Sequence, residues 1–114
     1  PVGLIDIYPT LVDLCGLGEN KALEGQSLVR LLADSKAKWD RPALTTHGRK
    51  NHALRTPRWR YIRYGDGTEE LYDHQSDPNE WTNLAGQPQY AGLKKELAKW
   101  FPRKNAPSAV VKKK

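Results

Sequence analysis

At 114 residues, 38% apolar and 28% charged, the chain has the length and composition of one small globular domain. That balance excludes disorder along the whole chain, and no run of about 18 apolar residues exists to span a membrane as a helix. The net charge of +6 is uneven, with seven Lys or Arg and no acid from Arg41 to Tyr64 and acids clustered between residues 66 and 80, so the basic middle points to an anionic partner.

The first predicted element is a helix over 4–17, LIDIYPTLVDLCGL. Asp6 is the expected N-cap, Pro9 falls in the first turn where a missing N–H costs nothing, and Gly16 suits the left-handed position after the last turn. Leu4, Tyr8, Leu11, Val12 and Cys15 share one face, and Ile7 and Leu14 lie on another flank. A helix apolar nearly all round is expected to be buried on several sides, with Cys15 an inert core thiol. The chain has little with which to cover it. Together with an opening Pro1 and no methionine, this reads as a piece of a longer chain from which a larger domain is missing. A polar loop follows, then a short helix, SLVRLLAD, capped by Ser27, and a charged connection over 35–41.

The centre changes period. PALTTH (42–47), NHALRT (51–56), RWRYIRY (58–64) and EELYDH (69–74) are short, rich in β-formers and separated by turn signals at Gly48, Pro57 and Gly65-Asp66-Gly67. In RWRYIRY both faces mix cations with aromatics, so arginine stems are expected to lie over rings. Ser76-Asp77-Pro78-Asn79-Glu80 is a turn, and Trp81 and Leu84 are expected to anchor the return loop to the core. A closing helix spans 88–101, with Tyr90, Leu93, Leu97 and Trp100 as its apolar stripe. Lys94, Lys95, Glu96 and Lys99 are placed on its wet side, and Pro102 ends it. The fold class is α+β: a small antiparallel sheet of three or four strands with a C-terminal helix packed on it, preceded by two helices. The divisions are 1–40 helical, 41–102 sheet plus helix, and 103–114 a basic, disordered tail.

Little in these residues suggests chemistry. A calcium loop needs oxygens at alternate positions around a glycine bend, and Asp73, Asp77 and Glu80 lack that spacing. Asp77 reads as a turn starter accepting backbone N–H groups, and Glu80 as a residue reaching back in the manner of a cap. His47, His52 and His74 do not converge with Cys15 as zinc ligands. No glycine-rich phosphate loop and no Gly-x-Ser-x-Gly elbow is present. No catalytic residue and no metal ligand is therefore assigned. The basic centre (Arg49, Lys50, Arg55, Arg58, Arg60 and Arg63, with Trp59, Tyr61 and Tyr64) admits three readings. It is a solvated sheet face with cation–π packing, a surface for RNA or single strands, or a contact to an anionic substrate held mostly by another domain. The aromatic–glycine pattern of the common RNA-binding sheet is missing, which counts against nucleic acid.

Four segments, DIYPTLVDLCGL, LEGQSLVRLL, HALRTPRWRYIRY and DGTEELYDHQSDPNEWTNLA, stand in an order and spacing that resembles the C-terminal part of type I sulfatases. These belong to the alkaline-phosphatase-like superfamily, and the chain is similar to the bacterial iduronate-2-sulfatase-like enzymes among them. The resemblance covers about residues 2–102. It implies a parent that hydrolyses sulfate esters on sulfated glycans, iduronate 2-sulfate being the example. It also implies a larger N-terminal α/β domain, missing here except for the helices of 1–40 that belong to its end, carrying a formylglycine made from Cys-x-Pro/Ser-x-Arg and a calcium ion. Cys15 is followed by Gly-Leu-Gly, so neither cofactor is expected in this fragment, which should be inactive alone. By the same resemblance the C-terminal subdomain borders the cleft. This makes His47, Arg49, Lys50 and His52 candidate contacts to a sulfated, carboxylated sugar and leaves Arg55, Arg58 and Arg60 structural. A periplasmic or secreted parent is implied. The alternative is a small basic module that binds nucleic acid or an anionic glycan, with no membrane partner.

Overall fold

The β-formers of the centre make four strands, β1 (Ala43–Thr46), β2 (His52–Arg55), β3 (Trp59–Arg63) and β4 (Glu69–Asp73). They pair as an antiparallel meander in the order β1-β2-β3-β4. The register explains the core. Leu44 stands opposite Leu54, Leu54 opposite Tyr61, and Tyr61 opposite Leu71, so one apolar row crosses the whole sheet. With a side-chain period of two, this row and Trp59 share a face. The closing helix α3 (Ala91–Ala98) contributes to that core through Leu93 and Leu97. Leu54, Tyr61, Leu71, Ala85, Leu97 and Phe101 form the buried centre, with Leu84 and Tyr90 packed at its margin. The computed structural model describes residues 1–18 and 20–107. The expected tail falls partly outside them, at 108–114.

Arginine stems do lie over rings: the Arg58 guanidinium sits 4.7 Å from the Trp59 ring centroid, and that of Arg63 4.6 Å from Phe101. Three expectations for this unit need correction. Phe101, four residues after Leu97, closes the helical stripe, and Trp100 is half exposed; a 3.6-residue period leaves both choices open. Lys94 is not on the wet side, because its ammonium is held by Glu69 at 2.6 Å and the Ala85 carbonyl at 2.8 Å. Trp81 anchors nothing and is 84% exposed. The residue before it, Glu80, takes φ +59 and sends its own side chain to Arg60 and His74.

The chain divides into two units, Pro1–Pro42 and Ala43 onward. In the first, a 3-10 turn at Leu4–Asp6 leads into α1 (Ile7–Leu14), and α2 spans Val29–Ala33. Gly16 takes the left-handed conformation after α1, and Leu17 N–H bonds the Val12 carbonyl at 3.0 Å, which closes the helix end as expected. Ser27 Oγ accepts the Val29 N–H at 3.2 Å.

Asp6 does not cap α1. Its buried carboxylate accepts the N–H of Gly3 and of Gln26, each at 2.9 Å, and so ties the loop to the helix. Thr10 Oγ1 donates to the Asp6 carbonyl at 2.6 Å and accepts the Leu28 N–H at 2.9 Å. Gly25 lies so close to Ile5 that a Cβ there would overlap the Ile5 carbonyl. This inward side of α1 is thus polar. Within these residues its apolar side is open rather than buried, with Leu4 86% and Leu11 53% exposed, and Cys15 is exposed too.

Candidate functional site

The turn between β1 and β2 is closed by the His47 N–H on the Asn51 carbonyl at 3.1 Å and by Asn51 Nδ2 on the His47 carbonyl at 2.9 Å. Gly48 and Lys50 both take φ +67 inside it. Asn51 Oδ1 also accepts the Gly65 N–H at 2.8 Å, which draws the β3–β4 turn alongside. That approach favours glycine, since a Cβ on residue 65 would stand a tight 3.2 Å from the Arg49 carbonyl oxygen.

The result is a fixed turn that holds the side chains of His47, Arg49 and Lys50 in solvent. Among the described residues none of the three is engaged in an ion pair. His52 is placed differently. It is 3% exposed, with Nδ1 2.9 Å from Thr46 Oγ1 and Nε2 2.8 Å from Asn105 Oδ1, and its ring is tilted against Phe101. The Nε2–H tautomer satisfies both contacts at once, with the Thr46 hydroxyl donating to Nδ1. His52 therefore acts as a strut under the turn, and Asn105 returns to the sheet beyond the expected start of the tail.

Three other cations of the sheet, Arg55, Arg58 and Arg60, are committed to neighbours. Arg58 makes a two-pronged pair with Asp73, at 2.9 and 2.7 Å. That guanidinium, with the Gln75 N–H, holds the Asp73 carboxyl below the usual carboxylate range. Arg60 bonds both oxygens of Glu80 at 3.1 and 2.9 Å. His74 bridges Glu80 and Arg55, at 2.5 and 2.6 Å. Burial pushes the Glu80 carboxyl up, but the hydrogen bonds of His74 and Arg60 and the Arg60 charge outweigh it and hold it low. Glu80 thus serves an ion cluster and not a cap.

The remaining acids of 69–80 are engaged as well. Glu69 takes Lys94 and the Tyr61 hydroxyl. Glu70 accepts the hydroxyls of Tyr64 and Tyr72, each at 2.9 Å. Burial and the Glu70 contact push the Tyr72 hydroxyl up to about 12. Asp77 accepts the Thr82 N–H at 2.8 Å, and that bond with its neighbouring backbone N–H groups keeps its carboxyl low, as a turn starter should.

Among the described residues no three His, Cys, Asp or Glu side chains converge to hold a metal ion. The donor set does not fit calcium, since each carboxylate of 69–80 already receives a named donor. Cys15 stands at a helix end before Gly16-Leu17-Gly18 and does not fit the formylglycine motif.

Of the four candidate contacts expected from the sequence, His47, Arg49 and Lys50 share the exposed turn and His52 lies buried beneath it. Asn105, which supports His52, carries no pattern signal.

Comparison with known proteins agrees with this architecture. The family model for the C-terminal part of N-sulphoglucosamine sulphohydrolase matches residues 2–106. A sulfatase of Formosa agariphila is 43% identical over 106 residues, covering 93% of this chain and 21% of that protein. The delta 4,5-hexuronate-2-O-sulfatase of Bacteroides thetaiotaomicron is 37% identical over 101 residues, 78% of this chain and 20% of that one. A solved structure in complex with its substrate D-glucosamine-2-N,6-O-disulfate superposes with TM-score 0.67 at 27% identity, over 82% of this chain and 22% of that one. The chain spans about a fifth of the length of these curated relatives. A match that runs nearly end to end, on a meander and helix shared with solved sulfatases, places the chain in the N-sulphoglucosamine sulphohydrolase C-terminal family, the C-terminal part of sulfatases.

Proposed function

We propose that this chain is the substrate-recognition side of a sulfatase that hydrolyses sulfate esters on anionic saccharides, and that the attacking group lies in a preceding domain. The observation that carries the reading is the β1–β2 turn. It holds Arg49, Lys50 and His47 unpaired among the described residues, while Arg58, Arg60 and Lys94 of the same unit are tied to carboxylates. Fixed cations on a tight turn suit fixed anions, because sulfate and carboxylate accept charge-assisted hydrogen bonds. The matched proteins named for 2-O-sulfated hexuronate and for a disulfated glucosamine support this substrate class. The apolar open side of α1 supports a covering domain, since a contiguous exposed apolar surface usually marks an interface.

The chain is assigned no part in bond breaking. Assayed alone with an aryl sulfate and with a 2-O-sulfated disaccharide, it is expected to give no turnover above buffer. Hydrolysis that survives Cys15→Ala and repurification would place a nucleophile within these residues and overturn the assignment.

A further inference from the structure

A groove of about 600 Å³ opens on the helix side of the sheet, next to the cation turn. Lys50, Arg63 and Arg103 line it, with His52, Phe101 and Asn105 also in its wall, and no carboxylate is among its lining residues. None of the three cations is ion-paired among the described residues. Glu69, the cross-strand neighbour of Arg63, is already taken by Lys94 and Tyr61. The Arg63 guanidinium lies over Phe101, 4.6 Å from the ring centroid, a cation–π contact that restrains it before any ligand arrives. Asn105 spends its Oδ1 on His52, and its amide N–H donors are unpartnered among the described residues.

We infer that this groove is a second oxyanion subsite, taking a sulfate group on a saccharide unit beyond the one at the β1–β2 turn. Lys50 belongs to both places and makes them continuous. The groove would therefore select chains with two or more anionic groups over a monosulfated sugar. The inference rests on the proposed function for its saccharide class; the charge and shape of the groove stand without it.

The test is titration of the full chain, followed by backbone amide NMR, with a heparin-derived tetrasaccharide, its desulfated counterpart, inorganic sulfate and a single-stranded RNA octamer. The tetrasaccharide is expected to shift the Gly65 and Gly67 amides and to bind more tightly than inorganic sulfate. Arg63→Gln and Arg103→Ala should each weaken it about tenfold, the loss of one charge-assisted contact. Arg103 is exposed, so its replacement remains a fair test if Arg63→Gln proves unstable in a thermal melt. Equal binding of the desulfated sugar, or of inorganic sulfate, overturns the subsite, and so does tighter binding of the RNA. If Arg49→Ala weakens the tetrasaccharide while Arg63→Gln and Arg103→Ala do not, the groove is refuted and the turn reading stands. If the groove variants weaken it and Arg49→Ala does not, the groove stands and the turn reading falls.

Discussion

Leu54→Ala is expected to cost about 2–5 kcal/mol and to leave the sheet unit close to unfolding. Leu54 is fully buried, and in the register it stands between Leu44 and Tyr61 in the row that crosses all four strands. Truncation removes apolar contact and leaves a cavity that a paired sheet cannot collapse to fill. A small domain has roughly 5 kcal/mol of stability to lose, so one such change consumes most of it. Ile62→Ala is the control: Ile62 lies on the other face of β3 and is only half-buried, so about 1 kcal/mol is expected. Urea unfolding followed by tryptophan fluorescence measures both. Equal midpoints for the two variants would show that the row is not the core.

Glu80→Ala should cost about 1–3 kcal/mol, the second largest effect on stability. It strands Arg60 and removes the partner of His74 Nε2, leaving Arg60 and the His74–Arg55 pair without the Glu80 carboxylate. The figure is kept modest because Arg60 is 41% exposed and water screens the pair. Glu80→Gly also loses the ion pairs, but it relieves a backbone held at φ +59, so it should be less damaging than alanine by about 0.5–1 kcal/mol.

The pH dependence follows from the sign of the shifts. Glu80, Asp73, Glu69 and Asp77 are all held below their unfolded values of about 4. The unfolded chain then binds more protons, so the stabilisation is fully present above about pH 5 and is lost as pH falls through the folded values. Melting temperature should drop steeply between about pH 4 and 2, and less steeply in Glu80→Gln. An identical acid limb in the variant would remove Glu80 from this account.

Much of the sheet was legible in the residues. β-Branched and aromatic alternation with Gly48, Pro57 and Gly65-Asp66-Gly67 between the runs is a local signal, and local signals locate strands and turns. What was not legible depends on partners distant in sequence. Glu80 looks like a cap until Arg60 and His74 are found beneath it, twenty and six residues away. Trp81 looks like an anchor because tryptophan usually is one, but the left-handed residue before it points it outward. His52 and Lys50 share a short basic run, yet the strand period sends His52 inward to Thr46 and Asn105 while the turn holds Lys50 out. Asn105, 53 residues from His52, could not be placed by any periodicity. The polar inward side of α1 was hidden for a similar reason: Asp6 and Thr10 find their partners in the loop around Gln26 and Leu28.

The central claim is that these residues recognise the substrate while the chemistry lies elsewhere. Steady-state kinetics of the enzyme that contains this segment, with Arg49 and Lys50 both replaced by alanine, tests it most directly. Loss of two contacts to fixed anions should raise KM for a sulfated disaccharide by about tenfold or more and change kcat by less than about threefold. KM for a small aryl sulfate with no second anionic group should be unaltered. A collapse of kcat with KM unchanged, or equal losses on both substrates, would contradict the account.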